Sequence, residues 1–286
     1  MIRLNRLIRL LTKLRLPLLK APVTDLISTT KSLLKVTFLG TGTSQGVPVI
    51  ACSCDTCISA DPRDKRLRTS VLIEDGTTTV VIDSGPDFRQ QMLRAGVKKL
   101  DGLVFTHEHK DHLAGLDDVR AFNFQVGKAI DLYASDAVQQ AIRREFHYAF
   151  ESVRYPGVPE LNLITIDSRP FRVGTLEFTP IRVKHYLMDV FGFRIGPFTY
   201  ITDAKSIAQD ELQKVRGSRC IVLNALRREP HISHFTLEEA IGLMNDLCPE
   251  NGYLTHLSHQ MGLHSQVSSE LPSNIQIAYD GLTIEI

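Results

Sequence analysis

Residues 103–112 read Leu103-Val-Phe-Thr-His107-Glu-His109-Lys-Asp111-His112, an apolar run ending in three histidines and two acids. In an extended or turning backbone, side chains two apart point together, so His107 and His109 share a direction. Asp111 and His112 then turn toward an adjacent point. Imidazole with carboxylate suits zinc, manganese or iron, and too few oxygens are present for a calcium cage. Two further apolar runs end in a metal-competent residue preceded by Thr, Tyr200-Ile-Thr-Asp203 and Tyr253-Leu-Thr-His256, and His185 follows another apolar stretch. Strand ends opening onto loops let a rigid scaffold aim ligands at one pocket. Together these ends predict one shared site, with donors enough for two metals about 3.5–4 Å apart. A solvated His-rich loop would have no reason to set an acid beside the third histidine.

Outward from this string, short apolar runs alternate with helical stretches. The pattern predicts strands over 35–39, 70–74, 78–83, 102–106, 130–134, 163–166, 175–183, 190–195, 199–202, 220–224, 252–255 and 282–286. Helices are predicted over 87–95, 115–124, 136–146, 207–215 and 236–247. Asp75-Gly76 separates adjacent strands as a hairpin does. Hairpins mixed with helices predict two sheets covered by helices, an α/β or α+β fold in one domain, and not a simple parallel Rossmann sheet. With 286 residues, 43% hydrophobic and 23% charged, the composition excludes a disordered chain, a collagen and a disulfide mini-protein.

Cys52-Ser-Cys54-Asp-Thr-Cys57 places three of the five thiols within six residues. Three such close cysteines cannot all pair with one another, so a disulfide framework fits poorly. A Cys54–Cys57 redox pair lacks a thioredoxin-like setting. Three thiolates in one loop call for a fourth ligand and a tetrahedral structural zinc, and His259, three residues after His256, is the chosen fourth ligand. Free thiols remain the alternative. Such a zinc would tie two loops about 200 residues apart and hold the backbone that presents His256. Cys220 in an apolar run and Cys248 at a helix end read as inert.

The formal net charge is +1, but it is unevenly placed. Residues 1–35 hold eight basic residues and one acid, a head of +7; the other 251 residues hold 25 basic and 31 acidic, a body of −6. In the head, Leu4, Leu7, Ile8, Leu11 and Leu14 share one helical face opposite Arg6, Arg9 and Lys13, up to Pro17. The head therefore reads as an amphipathic basic leader: a transit peptide, a membrane-surface helix, or a disordered or untranslated extension. No apolar run reaches the roughly 18 residues of a membrane span. The division places a basic extension at 1–35 and one domain at 36–286. Thiolates favour a reducing, cytoplasmic location, with an organelle address through the head as the alternative.

His107-x-His109-x-Asp111-His112 resembles the signature of the metallo-β-lactamase superfamily, over the body from about residue 35 onward. The resemblance implies an αββα sandwich with a dinuclear metal site, zinc or manganese, at the sheet edges. It further implies that His107, His109 and His185 hold one metal, that Asp111, His112 and His256 hold the other, and that Asp203 bridges them. The cysteine insertion, Phe38-Leu-Gly40-Thr-Gly42-Thr-Ser-Gln-Gly46-Val-Pro48 and Asp83-Ser-Gly85 resemble the phosphoribosyl 1,2-cyclic phosphate phosphodiesterase branch, which carries a zinc site beside the dinuclear one. The glycine loop is no P-loop, because no Gly-Lys-Ser/Thr follows. His234-Phe-Thr236-Leu-Glu238-Glu-Ala240 resembles the His-x-Thr element shared with tRNA 3′-processing endonucleases, where the histidine sits over the scissile phosphate. Thr236 is also a helix N-cap with Glu239 completing a capping box, so only His234 needs a functional role. His231 and His264 stay as alternatives to it, and His147 is assigned to an amphipathic helix.

The activity so implied is hydrolysis of a small phosphodiester, a cyclic ribose phosphate included, by a hydroxide bridging two metals. Asp111 would orient the nucleophile and His234 protonate the leaving oxygen. The rivals are a tRNA 3′-processing endoribonuclease and a non-catalytic metal-binding domain. Residues 126–184 hold eight basic and seven acidic residues, so no basic RNA-binding arm is visible, and the −6 body argues against a nucleic-acid partner. A lactamase or thioesterase has no use for His234, and a degenerate domain would have lost ligands. A homodimer is left open.

Overall fold

The computed structural model describes residues 33–286. The basic amphipathic helix and nearly all of the 1–35 leader lie outside the described residues. In chain order the first strands are β1 (Lys35–Gly40), β2 (Ser70–Glu74), β3 (Thr79–Ile82), β4 (Gly102–Val104), β5 (Ile130–Ala134) and β6 (Leu161–Thr165). They are followed by β7 (Phe171–Val173), β8 (Leu176–His185), β9 (Met188–Ile195), β10 (Phe198–Ile201), β11 (Ser206–Ile207), β12 (Cys220–Asn224), β13 (Asn251–Thr255), β14 (Ile275–Ile277) and β15 (Thr283–Glu285). The helices are α1 (Asp55–Ile58), α2 (Phe88–Ala95), α3 (Lys110–Leu113), α4 (Arg120–Val126), α5 (Asp136–Glu145), α6 (Gln209–Val215), α7 (Leu237–Leu247) and α8 (His264–Glu270).

One sheet has the order β15-β1-β2-β3-β4-β5-β6, and the other β11-β8-β9-β10-β12-β13-β14 with β7 paired to β8. Each sheet joins antiparallel hairpins to a parallel run, β3 to β6 in one and β10-β12-β13-β14 in the other. Alternate residues of a strand go to opposite faces, and here both faces are buried. Val80 and Ile82 enter the layer between the sheets with Phe178, Phe193, Tyr200 and Val222. Val81 faces outward to Phe88, Phe122 and Ile142 of the helices. β12 divides likewise: Cys220 and Val222 go inward, while Ile221 and Leu223 meet Leu212 and Met244 of α6 and α7. The result is the expected αββα sandwich. Each large apolar side chain buried this way contributes about 1.5–3 kcal/mol.

Local chemistry sets the element ends. α7 starts in the predicted capping box: Thr236 Oγ1 accepts from Glu239 N (3.1 Å) and the Glu239 carboxylate accepts from Thr236 N (2.8 Å). The Asp75 hairpin also forms, its carboxylate accepting from the N–H of Thr77 and Thr78. Elsewhere the pattern misled. The helix predicted over 115–124 is a 3₁₀ turn, Leu116–Val119, running into α4, and Ile207 belongs to β11 rather than a helix. β7, β11 and β14 are two or three residues long, too short to show a period. α8 buries only His264 and Val267, so its apolar face is invisible in sequence. His147 lies in a 3₁₀ turn after α5, facing Glu151 at 3.9 Å, and not in the amphipathic helix.

Glycine is demanded where the metal string meets its neighbour. Ser84 N–H donates to His112 O and Gly115 N–H to Ser84 O, both at 2.8 Å, zipping the turn after β3 onto α3. A Cβ on Gly85 would lie 2.0 Å from Asp111 O, and one on Gly115 2.0 Å from Gly85 O. Gly85→Ala is therefore expected to destabilise the protein by about 3 kcal/mol in denaturant titration, because the Asp111 carbonyl it meets is backbone and cannot swing away. A variant melting as the wild type does would contradict this packing.

Candidate metal centre

The predicted residues converge on one edge, where β3, β4, β8, β10 and β13 end. Three groups of donor atoms each lie within 4.8 Å of one another: His107, His109 and His185; Asp111, His112, Asp203 and His256; and His185, Asp203 and His234. All are buried or nearly so except His109, which opens the cluster to solvent. The backbone is strained to achieve this. Asp83, Asp203 and His256 sit at φ of 65°, 55° and 57°, a left-handed conformation that non-glycine residues reach at a cost of about 1 kcal/mol or more.

Hydrogen bonding fixes which ring nitrogens face inward. His112 Nδ1 meets Asp83 Oδ2 at 2.7 Å, and a carboxylate only accepts, so Nδ1 carries the proton. His185 Nδ1 likewise donates to the carbonyl of Ser233 at 3.0 Å. Thr106 Oγ1 donates to Asp83 (2.8 Å) and is thus left to accept from His107 Nδ1 (3.0 Å). Thr202 repeats the relay, donating to Asp203 (2.6 Å) and facing His256 Nδ1 (3.4 Å). The threonine before a metal-competent residue, a pattern visible in sequence, is therefore a tautomer-setting device at two of its three occurrences. At the third, Thr255 only meets Thr69 at 3.3 Å.

The remaining donor atoms then face one another. His107 Nε2 lies 3.0 Å from His109 Nδ1, and His112 Nε2 lies 3.3 Å from Asp111 Oδ2 and 3.2 Å from Asp203 Oδ2. His256 Nε2 is 3.3 Å from Asp203 Oδ1. These atoms crowd one buried space, and His112 Nε2 has no well-aligned hydrogen-bond partner there. A tetrahedral metal with bonds of 2.0–2.1 Å sets its ligand atoms about 3.3–3.4 Å apart, close to what these groups show. Charge points the same way. Burial disfavours a charged His112, yet Asp203, Asp111 and Asp83 together hold its pKa well above the usual value. The pocket calls for positive charge, and the donor set fits divalent metals.

Asp83 is the residue whose role the sequence did not disclose. It is fully buried, accepts from Thr106 N (2.9 Å), Thr106 Oγ1 and His112 Nδ1, and so aims two imidazoles at once. Its place at the end of an apolar strand was the available signal. His234 stands beside the cluster, its ring 4.7 Å from His185 and 4.9 Å from His256. His231 lies on its outer side at 5.1 Å. His264 is brought elsewhere, against Arg66 at 3.3 Å and the Asp64 carboxylate.

Cys52, Cys54 and Cys57 also meet His259, their sulfurs 3.3, 3.4 and 3.6 Å from its Nδ1. Tetrahedral zinc with sulfur and nitrogen ligands spaces such atoms by about 3.5 Å. The Cys57 backbone N–H lowers the Cys54 thiol to about 6, while burial raises Cys57 to about 11. From His259 the chain runs back three residues to His256, so the cluster and the buried donors share one short segment.

Two outcomes follow from this geometry. Asp83→Asn should weaken metal binding at the Asp111–His112–His256 group by about 10–100-fold in competition titrations, since a neutral amide offers one acceptor oxygen where the carboxylate offers two and no charge to hold His112. Cys54→Ser should lose about one zinc per chain by elemental analysis and melt at lower temperature, with the buried donors still loaded.

The family described as "Beta-lactamase superfamily domain" matches residues 78–257. A solved structure of a new diphosphatase from the PhnP family is 37% identical, with a TM-score of 0.84 over 89% of this chain and 97% of that one. An octanoyltransferase of Porphyromonas gingivalis is 41% identical over 247 residues, 85% of this chain and 50% of that protein, so the chain spans half of that relative's length. A ribonuclease Z of Myxococcus xanthus is 21% identical across 89% of this chain and 98% of that one. With its αββα sandwich, its convergent His/Asp edge and this match, the chain belongs to the metallo-β-lactamase superfamily of metal-dependent hydrolases.

Proposed function

We propose that the protein is a metal-dependent phosphodiesterase acting on a small phosphodiester. In this reading His107, His109 and His185 hold one divalent metal, zinc or manganese, and Asp111, His112 and His256 a second, with Asp203 between them. Metals so bound supply Lewis acidity toward a phosphoryl oxygen and lower the pKa of coordinated water toward about 7. Cys52, Cys54, Cys57 and His259 hold a structural zinc that clamps the segment carrying His256.

His234 carries the phosphodiesterase reading. Its ring packs against His185 and His256, yet its Nδ1 is buried without a partner, 3.8 Å from Asp203 Oδ1. A buried imidazole next to the donors with an unused nitrogen has a hydrogen bond to give to something that enters. We assign it to the leaving oxygen of the ester, toward which the neutral imidazole, its pKa lowered to about 3 by burial, donates a hydrogen bond as negative charge develops there. Asp111 Oδ2 faces His112, and its other oxygen is assigned to orient the attacking water. Likeness to a PhnP-family diphosphatase supports phosphoryl chemistry, and a cyclic ribose phosphate falls within the proposed class.

The ribonuclease Z likeness supports the same chemistry at phosphorus, but the acidic body still disfavours a nucleic acid as substrate. Acyl transfer, the chemistry named for the Porphyromonas gingivalis protein, finds no support in the site: among the described residues the converging side chains are His and Asp, with no thiol or amine to carry an acyl group. Residues 36–286 form the catalytic unit in this proposal. Among the described residues, no helix is long and apolar enough to cross a membrane. A cytoplasmic location is proposed from the thiolate cluster.

His234→Ala, loaded with Mn²⁺ or Zn²⁺, is expected to keep its metal content and lose about 100-fold or more in kcat on bis-p-nitrophenyl phosphate. Full activity of this variant would remove the assignment, and a metal-loaded wild type without diesterase activity would favour a binding domain.

A further inference from the structure

His234 belongs to a loop that the fold closes at both ends. Leu226 N–H donates to Phe235 O at 2.9 Å and Leu237 N–H to Arg227 O at 3.0 Å, so residues 227–235 form a compact excursion between β12 and α7. On one side the backbone around His234 is tied to the metal edge. Ser233 O accepts from His185 Nδ1 at 3.0 Å, and Phe235 N–H donates to Ala204 O, next to Asp203, at 2.9 Å. On the other side the loop hangs on the segment that carries His259. Ser258 N–H donates to Leu226 O at 2.9 Å, and Arg227 Nη1 donates to Gln260 Oε1 at 2.9 Å. The same guanidinium reaches back into the loop, Nε to Glu229 O at 3.3 Å and Nη2 to Pro230 O at 3.0 Å. The neighbouring Arg228 reaches this segment only at 3.4 Å, on Met261 O.

We propose that Arg227 and Gln260 are positioning residues through which the Cys52–Cys54–Cys57–His259 cluster holds His234 at the metal edge. The inference rests on the phosphodiesterase reading for what His234 does, and it adds what keeps the ring in place. His234 Nδ1 has no partner, so the ring follows its own backbone and the packing of its neighbours. Arg227 braces that backbone from within the loop, and its rigid fork of donors fits three acceptors at once, which a lysine cannot do. The brace is anchored at Gln260, directly after the histidine whose Nδ1 meets three sulfurs. Opening the cluster frees His259 and with it the anchor. A reacting group displaced by about 1 Å can cost about 100-fold in rate, so a loop hung on this segment needs the segment held still.

The test uses the full chain loaded with Zn²⁺. Gln260 is exposed, so Gln260→Leu removes the acceptor without opening the core. Amide hydrogen exchange over residues 226–237 should quicken about tenfold in Gln260→Leu and also in Cys54→Ser, with the metal edge still loaded. In turnover, Gln260→Leu should lower kcat about tenfold at unchanged KM. The loss should be larger on diphenyl phosphate than on bis-p-nitrophenyl phosphate, because the poorer leaving oxygen depends more on the His234 hydrogen bond. Gln260→Glu, whose carboxylate still accepts from Arg227, should keep the wild-type rate. In a His234→Ala background, Gln260→Leu should cost nothing further. Unchanged exchange in both variants, or an equal kcat loss with and without His234, overturns the proposal. Quickened exchange in a protein whose His234→Ala variant is fully active keeps the brace and removes the role of His234; a His234-dependent diesterase with unchanged exchange does the reverse.

Discussion

Buried imidazoles and carboxylates crowded onto one edge are the constraint on which this structure depends. His107, His112, His185 and His256 each have one nitrogen tied to a threonine, a carboxylate or a carbonyl, which turns the other nitrogen inward. Asp111 and Asp203 add carboxylate oxygens to the same space. Burying such a set without compensation would cost several kcal/mol per charged group. A divalent cation at these donors would offset that cost, which gives the fold reason to hold them rigidly.

The rest of the architecture serves that rigidity. Both sheets are buried on their two faces, so their strands cannot slide without exposing a full apolar layer. Strand ends are therefore fixed points, and the left-handed kinks at Asp83, Asp203 and His256 turn each end toward the same volume. The glycine contact between the Asp83 turn and α3 brings the support residue against the string it supports. On the opposite flank, the cysteine loop and His259 join two segments distant in sequence just beyond His256. Asp280 adds a second tie there, accepting from Thr41 Oγ1 and Leu67 N at 2.8 Å each.

Legibility followed from how local each signal was. The buried strands of four or more residues were visible as apolar runs, and α7 as a periodic stretch with its capping box. Asp83 belongs to the Asp83-Ser-Gly85 motif, yet its role depends on Thr106 and His112, 23 and 29 residues away, which no spacing rule joins. β11 and β14 exist because neighbouring strands offer open edges, not because their own residues favour extension. His264 and His234 look equally eligible in sequence, and only packing sends one to Arg66 and the other to the metal edge.

The order of residues alone determined the inventory: seven donors with metal chemistry at strand ends, four more in the cysteine loop and its distant histidine, and an acidic body behind a basic head. Those facts are local, because donor type and strand periodicity are properties of short segments. Three-dimensional packing decided which nitrogen of His107, His112, His185 and His256 faces inward, that Asp83 governs two of them, and that the turn after His185 holds a tyrosine at positive φ. Such facts depend on hydrogen bonds and φ angles set by segments far apart in the chain, and they exist only once the two sheets have closed on each other.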